Sequence, residues 1–293
     1  MENGGLGKYV MKTSLKEKCV AITGATGGLG KELCRLLLES QARLIVIDRN
    51  KEKQHALIEE LKKEFPESII SGMIADMESF CSVKALEKEL CEEEVDYLIL
   101  NAGAYSIPRR VSDIGFDNVF QINLVSPYYL TKKLLPSIRA RQGKVIAVGS
   151  IAHSYSKTDK NDIDFKTRDK SSLVYGNSKR YLMGAFFALA KKGEPVVVAH
   201  PGISFTGITN HYPKLIFALI KNPMKIIFEK PRRACLSIFH AIFRTPPENS
   251  WIGPMLFGIW GRPKVSRVKD IKEDEEKFIF ETCESIFLSI CDK

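Results

Sequence analysis

The sequence predicts an α/β fold built on a doubly wound parallel sheet with helices on both faces. Three observations carry that prediction. Short apolar runs recur from residue 19 to residue 200 and alternate with longer segments of helical periodicity. The first run passes through a glycine-rich turn directly into a helix. The residues of most chemical interest, Gly24, Asp48, Asp76, Asn101, Ser150 and Gly202, each stand just after a run. In such a sheet ligands bind beyond the carboxyl ends of the strands, so these positions point to one shared site.

Taken in order, Met1–Lys18 is polar and basic and reads as a loose arm. Cys19 to Ile22 is the first buried strand. Lys31 to Glu39 follows as a helix, with Leu33, Leu36 and Leu37 at helical spacing. Between them lies Thr23-Gly24-Ala25-Thr26-Gly27-Gly28-Leu29-Gly30. Gly24 and Gly28 lack a Cβ, so the backbone can turn tightly and approach a ligand, and Gly30 lets the helix pack on the strand. The free N–H groups of the helix start favour an anion. Further strands are expected at Arg43–Asp48, Ile69–Ala75, Val95–Leu100, Lys144–Gly149 and Pro195–His200. Helices are expected at Lys51–Phe65, Phe80–Cys91, Phe116–Leu135 and Leu173–Lys191. Pro127 either kinks the third of these or starts a new segment. Each strand is a near-continuous apolar run, as strands covered on both faces require.

A chain of 293 residues can bury a sizeable core. It is expected to comprise a flexible arm, residues 1–15, and one domain over residues 16–293. The formal net charge of +9 allows nucleic acid, a membrane surface or an acidic ligand as partner. Without a run of like charges or a nucleic-acid motif, nucleic acid is set aside. The seven cysteines, Cys19, Cys34, Cys81, Cys91, Cys235, Cys283 and Cys291, are scattered and form no C-x-x-C pair. That suits reduced thiols in a cytoplasm and gives no metal site. Neither a signal sequence nor a membrane span is expected.

Two stretches carry chemistry. Asp48 ends the second strand, 18 residues after Gly30. An acid there can accept hydrogen bonds from adenosine ribose hydroxyls and would repel a 2′-phosphate, which favours NAD over NADP. Arg49 pulls the other way, because a guanidinium could pair with that phosphate. Gly27 in the turn offers no basic side chain, so NAD is the preferred reading, with NADP as the alternative. Tyr175 and Lys179 stand four residues apart on one face of a helix. A nearby ammonium stabilises a phenolate, so Lys179 is expected to lower the Tyr175 pKa towards neutrality and let it exchange protons with an alcohol or carbonyl oxygen.

With these residues in place, the sequence resembles the short-chain dehydrogenase/reductase family over about residues 16–202, and more loosely beyond. Thr23 to Gly30 matches its glycine motif, in the form of the shorter branch rather than the extended, epimerase-like one. Asn101-Ala102-Gly103 matches the N-A-G turn, Asn123 the helix asparagine, Ser150 the strand-end serine, and Tyr175-Gly176-Asn177-Ser178-Lys179 the Y-x-x-S-K motif. Pro201-Gly202 with Thr206 matches the loop over the nicotinamide. The resemblance implies a single Rossmann-type domain with a C-terminal substrate lid. It implies Tyr175 as general acid/base, Lys179 on the nicotinamide ribose, Ser150 on the substrate oxygen and Asn123 anchoring a proton relay. It implies a cofactor cleft formed by Thr23, Gly24, Thr26, Gly28, Leu29, Gly30, Asp48, Arg49, Asp76, Met77, Asn101, Ala102, Gly103, Tyr175, Lys179, Pro201, Gly202 and Thr206.

The polar stretch His153–Lys170 between Ser150 and Tyr175, and the triplet His200-Pro201-Gly202, resemble the retinol-dehydrogenase-like sub-group, which includes the WW-domain oxidoreductase. Such members act on lipophilic alcohols and ketones. The interval from Tyr175 to Pro201 is shorter than usual, so the helix after Tyr175, which in relatives often forms a homo-oligomer interface, or its turn at Lys191-Lys192-Gly193, is expected to be trimmed. Residues 203–270 are expected to form the lid and C-terminal extension. Leu215–Phe228, flanked by Lys214, Lys230, Arg232 and Arg233, is apolar with embedded lysines, and Trp251–Trp260 adds aromatic surface before Arg262, Lys264, Arg267 and Lys269. These segments, 214–233 and 251–269, suit either a greasy substrate or peripheral contact with an anionic membrane. The function expected is NAD(P)-dependent interconversion of a lipophilic alcohol and its carbonyl by a cytoplasmic or membrane-associated enzyme. The alternatives are a silent dinucleotide-binding sensor or scaffold, and a peripheral membrane protein.

Overall fold

The apolar runs become strands whose alternate residues face opposite layers. In β1 (Cys19–Thr23), Cys19 and Ala21 belong to one hydrophobic cluster, and Val20 and Ile22 to another. That is what a strand buried on both sides requires. The structure is a computed structural model in which residues 14–202, 231–256 and 258–291 are described. Within those residues the order is β1, α1 (Gly28–Glu39), β2 (Arg43–Asp48), α2 (Lys51–Glu64), β3 (Ile70–Ile74), α3 (Phe80–Cys91) and β4 (Tyr97–Leu100). Then come α4 (Asn118–Phe120), a π-helical turn (Gln121–Val125), α5 (Ser126–Ala140), β5 (Lys144–Val148), a 3₁₀ turn (Ile151–Tyr155), α6 (Ser171–Lys191) and β6 (Val196–Ala199). The described C-terminal part adds α7 (Pro231–Phe243), β7 (Ser250–Leu256), β8 (Trp260–Arg267) and α8 (Glu273–Cys291).

The sheet order is β3-β2-β1-β4-β5-β6-β7-β8, parallel up to β7, with β8 antiparallel to β7. The chain winds outward from β1 to β3, then returns to the other side of β1 as β4. The loops after β1 and β4 therefore diverge and leave a crevice at their carboxyl ends. Helices α1, α2 and α7 cover one face; α3, α5, α6 and α8 cover the other.

The differences from the sequence expectation have physical causes. The long helix expected over Phe116–Leu135 starts at Asn118, opens into the π turn, and runs on to Ala140. Of the two roles expected for Pro127 the structure shows the second: it stands at the start of a new segment, α5, where a missing N–H costs least. β3 is the sheet edge, and its Ser71, Gly72 and Ile74 are exposed rather than buried. The His153–Lys170 stretch is polar but not solvated throughout. Asp164 is buried and accepts from the Asp117 N–H at 2.9 Å, while Phe165 packs with Val119 and Val174. Trp251 is not surface: it lies in β7, and Trp251 and Ile252 are buried. Helix α6 has 21 residues, and its outer face is covered by α8, whose Ile279 meets Gly184. Of the segment expected as lid and C-terminal extension, residues 203–270, the stretch 203–230, and with it Thr206, lies outside the described residues.

Candidate active site

The glycine turn is built by packing that only glycine allows. Gly24 has φ +67°, and a Cβ on it would lie 2.8 Å from the Ala102 Cα. A Cβ on Gly30 would lie 2.7 Å from the Ala25 Cα. Thr23 and Asn101 lace the ends of β1 and β4 together. The Ala102 N–H donates to Thr23 Oγ1 at 3.0 Å, and Asn101 Nδ2 donates to the Thr23 and Gly24 carbonyls at 3.0 Å each. No side chain caps the start of α1, and its first turn holds no acid. Its leading N–H groups are thus unclaimed by side chains and carry the positive end of the helix dipole. Gly27 and Gly28 are exposed there. A cradle of this shape and polarity fits a dinucleotide pyrophosphate.

Asp48 stands beside the turn with its carboxylate fixed. Thr26 donates to Oδ2 from its N–H at 3.0 Å and its hydroxyl at 2.7 Å, and the Arg49 N–H donates to Oδ1 at 2.9 Å. Arg49 itself is exposed. Asp76 accepts from the Glu78 N–H at 3.0 Å, and its own N–H donates to Ser82 Oγ. Met77 departs from the sequence expectation. Its side chain is buried in the core under α3 and α5, which leaves only its backbone to face a ligand.

The catalytic candidates gather at the ends of β4 and β5 and on α6. Lys179 is buried and donates from Nζ to the Val148 carbonyl at 2.9 Å. Its Nζ lies 5.9 Å from the centroid of the Tyr175 ring. Asn123, in the π turn, clamps Ala104 by both backbone groups at 2.9 Å each and donates to Ser178 Oγ at 3.0 Å. Such turns release backbone groups from the regular helical ladder. Ser150 caps the 3₁₀ turn by accepting from the Ala152 N–H at 3.2 Å.

Burial acts on the pair in opposite senses. It pushes the Tyr175 phenol up to about 12, with a hydrogen bond to Ser150 drawing it back, and lowers the Lys179 ammonium to about 8. The expectation that Lys179 brings Tyr175 towards neutrality is therefore not met in the protein alone. The ammonium is spent on the Val148 carbonyl, and desolvation favours the neutral form of both groups.

These motifs stand in register with a known family. The family model described as short chain dehydrogenase matches residues 18–160. Over those residues the chain matches the short-chain dehydrogenase family. Among its curated relatives is Retinol dehydrogenase 13 of Homo sapiens, 28% identical over 208 residues, which are 68% of this chain and 63% of the relative. The match thus spans less than two thirds of that protein's length. Retinol dehydrogenase 14 of Homo sapiens is 29% identical over 266 residues, 82% of this chain and 78% of the relative. A crystal structure of an uncharacterized protein from Mycobacterium Paratuberculosis shares the fold with a TM-score of 0.73, at 23% identity and 94% coverage of each chain.

Around the motif residues stand further side chains, of which the sequence did not single out Tyr105 and Tyr155. Tyr105 meets Tyr175 edge to face at 5.1 Å. Tyr155 lies close enough to raise the Tyr175 pKa and is half exposed. His200 stacks on Trp251 at 4.7 Å, and burial lowers its pKa to about 4, so it is neutral. Gly202 turns with φ +83° against the β7–β8 connection. The sequence signal for Tyr105 and Tyr155 was their closeness to Asn101 and Ser150; for Trp251, distant in the chain, there was none.

Proposed function

We propose that this protein is an NAD(P)-dependent oxidoreductase that interconverts a lipophilic alcohol and its carbonyl compound, with NAD(H) preferred. The observation that carries the reading is the placement of Tyr175, Ser150 and Lys179 beside the glycine cradle, at one end of one sheet. The cofactor supplies the hydride chemistry when bound. The chain's own residues do the rest. The Ser150 hydroxyl donates to the substrate oxygen. Tyr175 Oη takes the alcohol proton in oxidation and gives it back in reduction. Lys179 would hold the nicotinamide ribose when the cofactor is bound, and it supplies positive charge beside the phenol. Asn123 fixes the Ala104 loop and anchors the relay that returns the proton to solvent. The pyrophosphate would be held by the N–H groups of Gly28, Leu29 and Gly30, and the adenosine end by Asp48, Asp76 and the Met77 backbone.

The preference for NAD(H) rests on the fixed Asp48 carboxylate, which would meet a 2′-phosphate as a like charge. The lipophilic substrate is supported by the aromatic side chains Tyr105 and Tyr155 beside Tyr175 and by the names of the relatives. Titrations of NADH and NADPH, wild type against Asp48→Ala, test the cofactor half. Tighter NADH binding that reverses in the variant is expected; binding of neither overturns the reading. Turnover of long-chain and cyclic lipophilic alcohols and aldehydes tests the rest.

A second reading adds peripheral membrane contact. Met255 and Leu256 are half exposed at the end of β7, close to the site, with Lys264 and Arg267 further along β8. Among the described residues no helix is long and apolar enough to cross a membrane. Salt-sensitive co-sedimentation with anionic vesicles would support it.

A further inference from the structure

Behind the candidate active site lies a set of charges, centred on buried Arg180 and His153, that the reaction above does not use. Arg180 follows Lys179 directly and is 3% exposed. Its guanidinium forks onto Glu275, from Nε to Oε1 and from Nη2 to Oε2, both at 2.6 Å. It also donates to Asp270 Oδ2 at 3.0 Å, to the Asp270 carbonyl at 2.6 Å and to the His153 carbonyl at 3.1 Å. A planar five-donor fork thus ties α6 both to the 3₁₀ turn after Ser150 and to the C-terminal segment.

His153 completes the set. It is buried, with Nδ1 2.7 Å from the Ser150 carbonyl and Nε2 2.9 Å from Asp270 Oδ1. Both partners only accept. A peptide carbonyl has no proton to give, and the Asp270 carboxylate is ion-paired with Arg180, which donates to its other oxygen at 3.0 Å. A neutral imidazole has one N–H and can make one of these two bonds; an imidazolium makes both. His200 is the contrast. It has one short partner, the Gly258 carbonyl at 2.9 Å, against 3.4 Å to Gly149, and it is neutral.

We propose that His153, held as an imidazolium, is a positioning residue for the reaction: it fixes the catalytic serine through the Ser150 carbonyl and anchors it to the C-terminal segment through Asp270. The charges around it balance. Asp270 and Glu275 face Arg180 and His153, while neutral His200 stands behind Trp251, whose ring meets His153 edge to face at 5.5 Å. Ser150 must present its hydroxyl to the substrate oxygen and to Tyr175, so a shift of its backbone is a shift of the acid–base pair.

The inference rests on the oxidoreductase reading for its kinetic half and on geometry alone for its structural half, and the test keeps them apart. ¹⁵N-histidine NMR of the cofactor-free protein at neutral pH, assigned by His153→Asn, reads the two ring nitrogens. Both protonated is expected; one unprotonated nitrogen overturns the imidazolium. Kinetics then compare His153→Leu, which donates nothing, with His153→Asn, whose amide can still reach the Ser150 carbonyl. For His153→Leu a fall in kcat of about 10–100-fold is expected, the scale of a small misplacement of a catalytic group. NADH affinity should stay within about two-fold, and His153→Asn should recover part of kcat. Unchanged kcat in His153→Leu overturns the positioning role. So does an equal loss in both variants accompanied by lost NADH binding, which marks a merely structural residue. A wild type that binds NADH without turning over any substrate removes the oxidoreductase reading, and the NMR result still decides the state of His153.

Discussion

Lys179 donates to the carbonyl of Val148 at 2.9 Å while its Nζ stands 5.9 Å from the Tyr175 ring centroid. The lysine is therefore moored to the end of β5, the strand that leads into Ser150. A buried ammonium on one carbonyl is costly, and its worth has to be sought in the reaction rather than in the fold.

The first prediction concerns that cost. Burial lowers the Lys179 pKa from 10.5 to about 8. Between those values the unfolded chain keeps a proton that the folded chain has released, so this group makes stability rise with pH across about 8 to 10.5. Below 8 the folded protein carries the full penalty, on the order of 3 kcal/mol. Lys179→Met removes that penalty and gives up one hydrogen bond, about 1 kcal/mol. Urea unfolding at neutral pH should find the variant at least as stable as wild type, without its share of the alkaline rise. Turnover at neutral pH should fall steeply. A variant that is both unstable and inactive would show the ammonium to be structural.

Tyr175→Phe should fold, bind NADH within about two-fold of wild type, and lose about 10²–10⁴ in kcat, the range of general acid–base catalysis. The pH dependence has a definite sign. Oxidation needs the phenolate and rises with pH; reduction needs the phenol and falls as pH rises through the same group. Burial sets the starting point of the phenol at about 12 in the protein alone. Lys179→Met should move the oxidation limb further to alkaline pH. The profile of Tyr175→Phe should be flat where the wild type slopes.

Much of this was legible in the chain. The strands β1 to β6 could be read because Val, Ile and Leu fill both faces of each central run, and a buried parallel strand has no other sequence signature. The candidate site could be read because Gly24 and Ser150 stand just after strands and Tyr175 and Lys179 share one face of a helix. The C-terminal part was opaque for a physical reason. β7 carries Gly253 and Pro254 in its interior, and it pairs with β6 only at Ala199 and Ile252, so its run lacks a strand pattern. The His153 network was opaque because its partners are tertiary. Asp270 lies 117 residues from His153 and 90 from Arg180, and no local spacing announces that meeting.

Arg180→Met tests that network as a stability element. Removing the guanidinium leaves Glu275 and Asp270 without their counter-charge. Breaking a buried pair from one side costs about 3–5 kcal/mol, and the lower end applies here because Asp270 is partly open to solvent. The loss should be larger at neutral pH than below pH 4. Asp270 is depressed in the folded protein, so its contribution is present above the unfolded carboxylate pKa and fades as pH falls towards its folded value. Denaturation at pH 7 and pH 2, variant against wild type, checks both the size and the sign.

The last prediction separates two glycines of one turn. Gly24 has φ +67°, and a Cβ there would strike the Ala102 backbone at 2.8 Å. Gly27 has φ −68° and ψ 158°, an extended conformation open to any residue, and its nearest contact for a Cβ is 3.4 Å away. Gly24→Ala must hold alanine in the left-handed region, at about 1–2 kcal/mol, and push apart the β1 and β4 loops that Asn101 and Thr23 lace together. It should lower stability by at least that amount and weaken NADH binding about ten-fold or more. Gly27→Ala should leave stability within about 0.5 kcal/mol, as substitutions away from special backbone positions do. Because Gly27 is the exposed N-cap of α1, any change in cofactor affinity in that variant reports contact with the ligand itself. Equal destabilisation by the two alanines would mean that the turn is held by something other than the approach of Gly24 to Ala102.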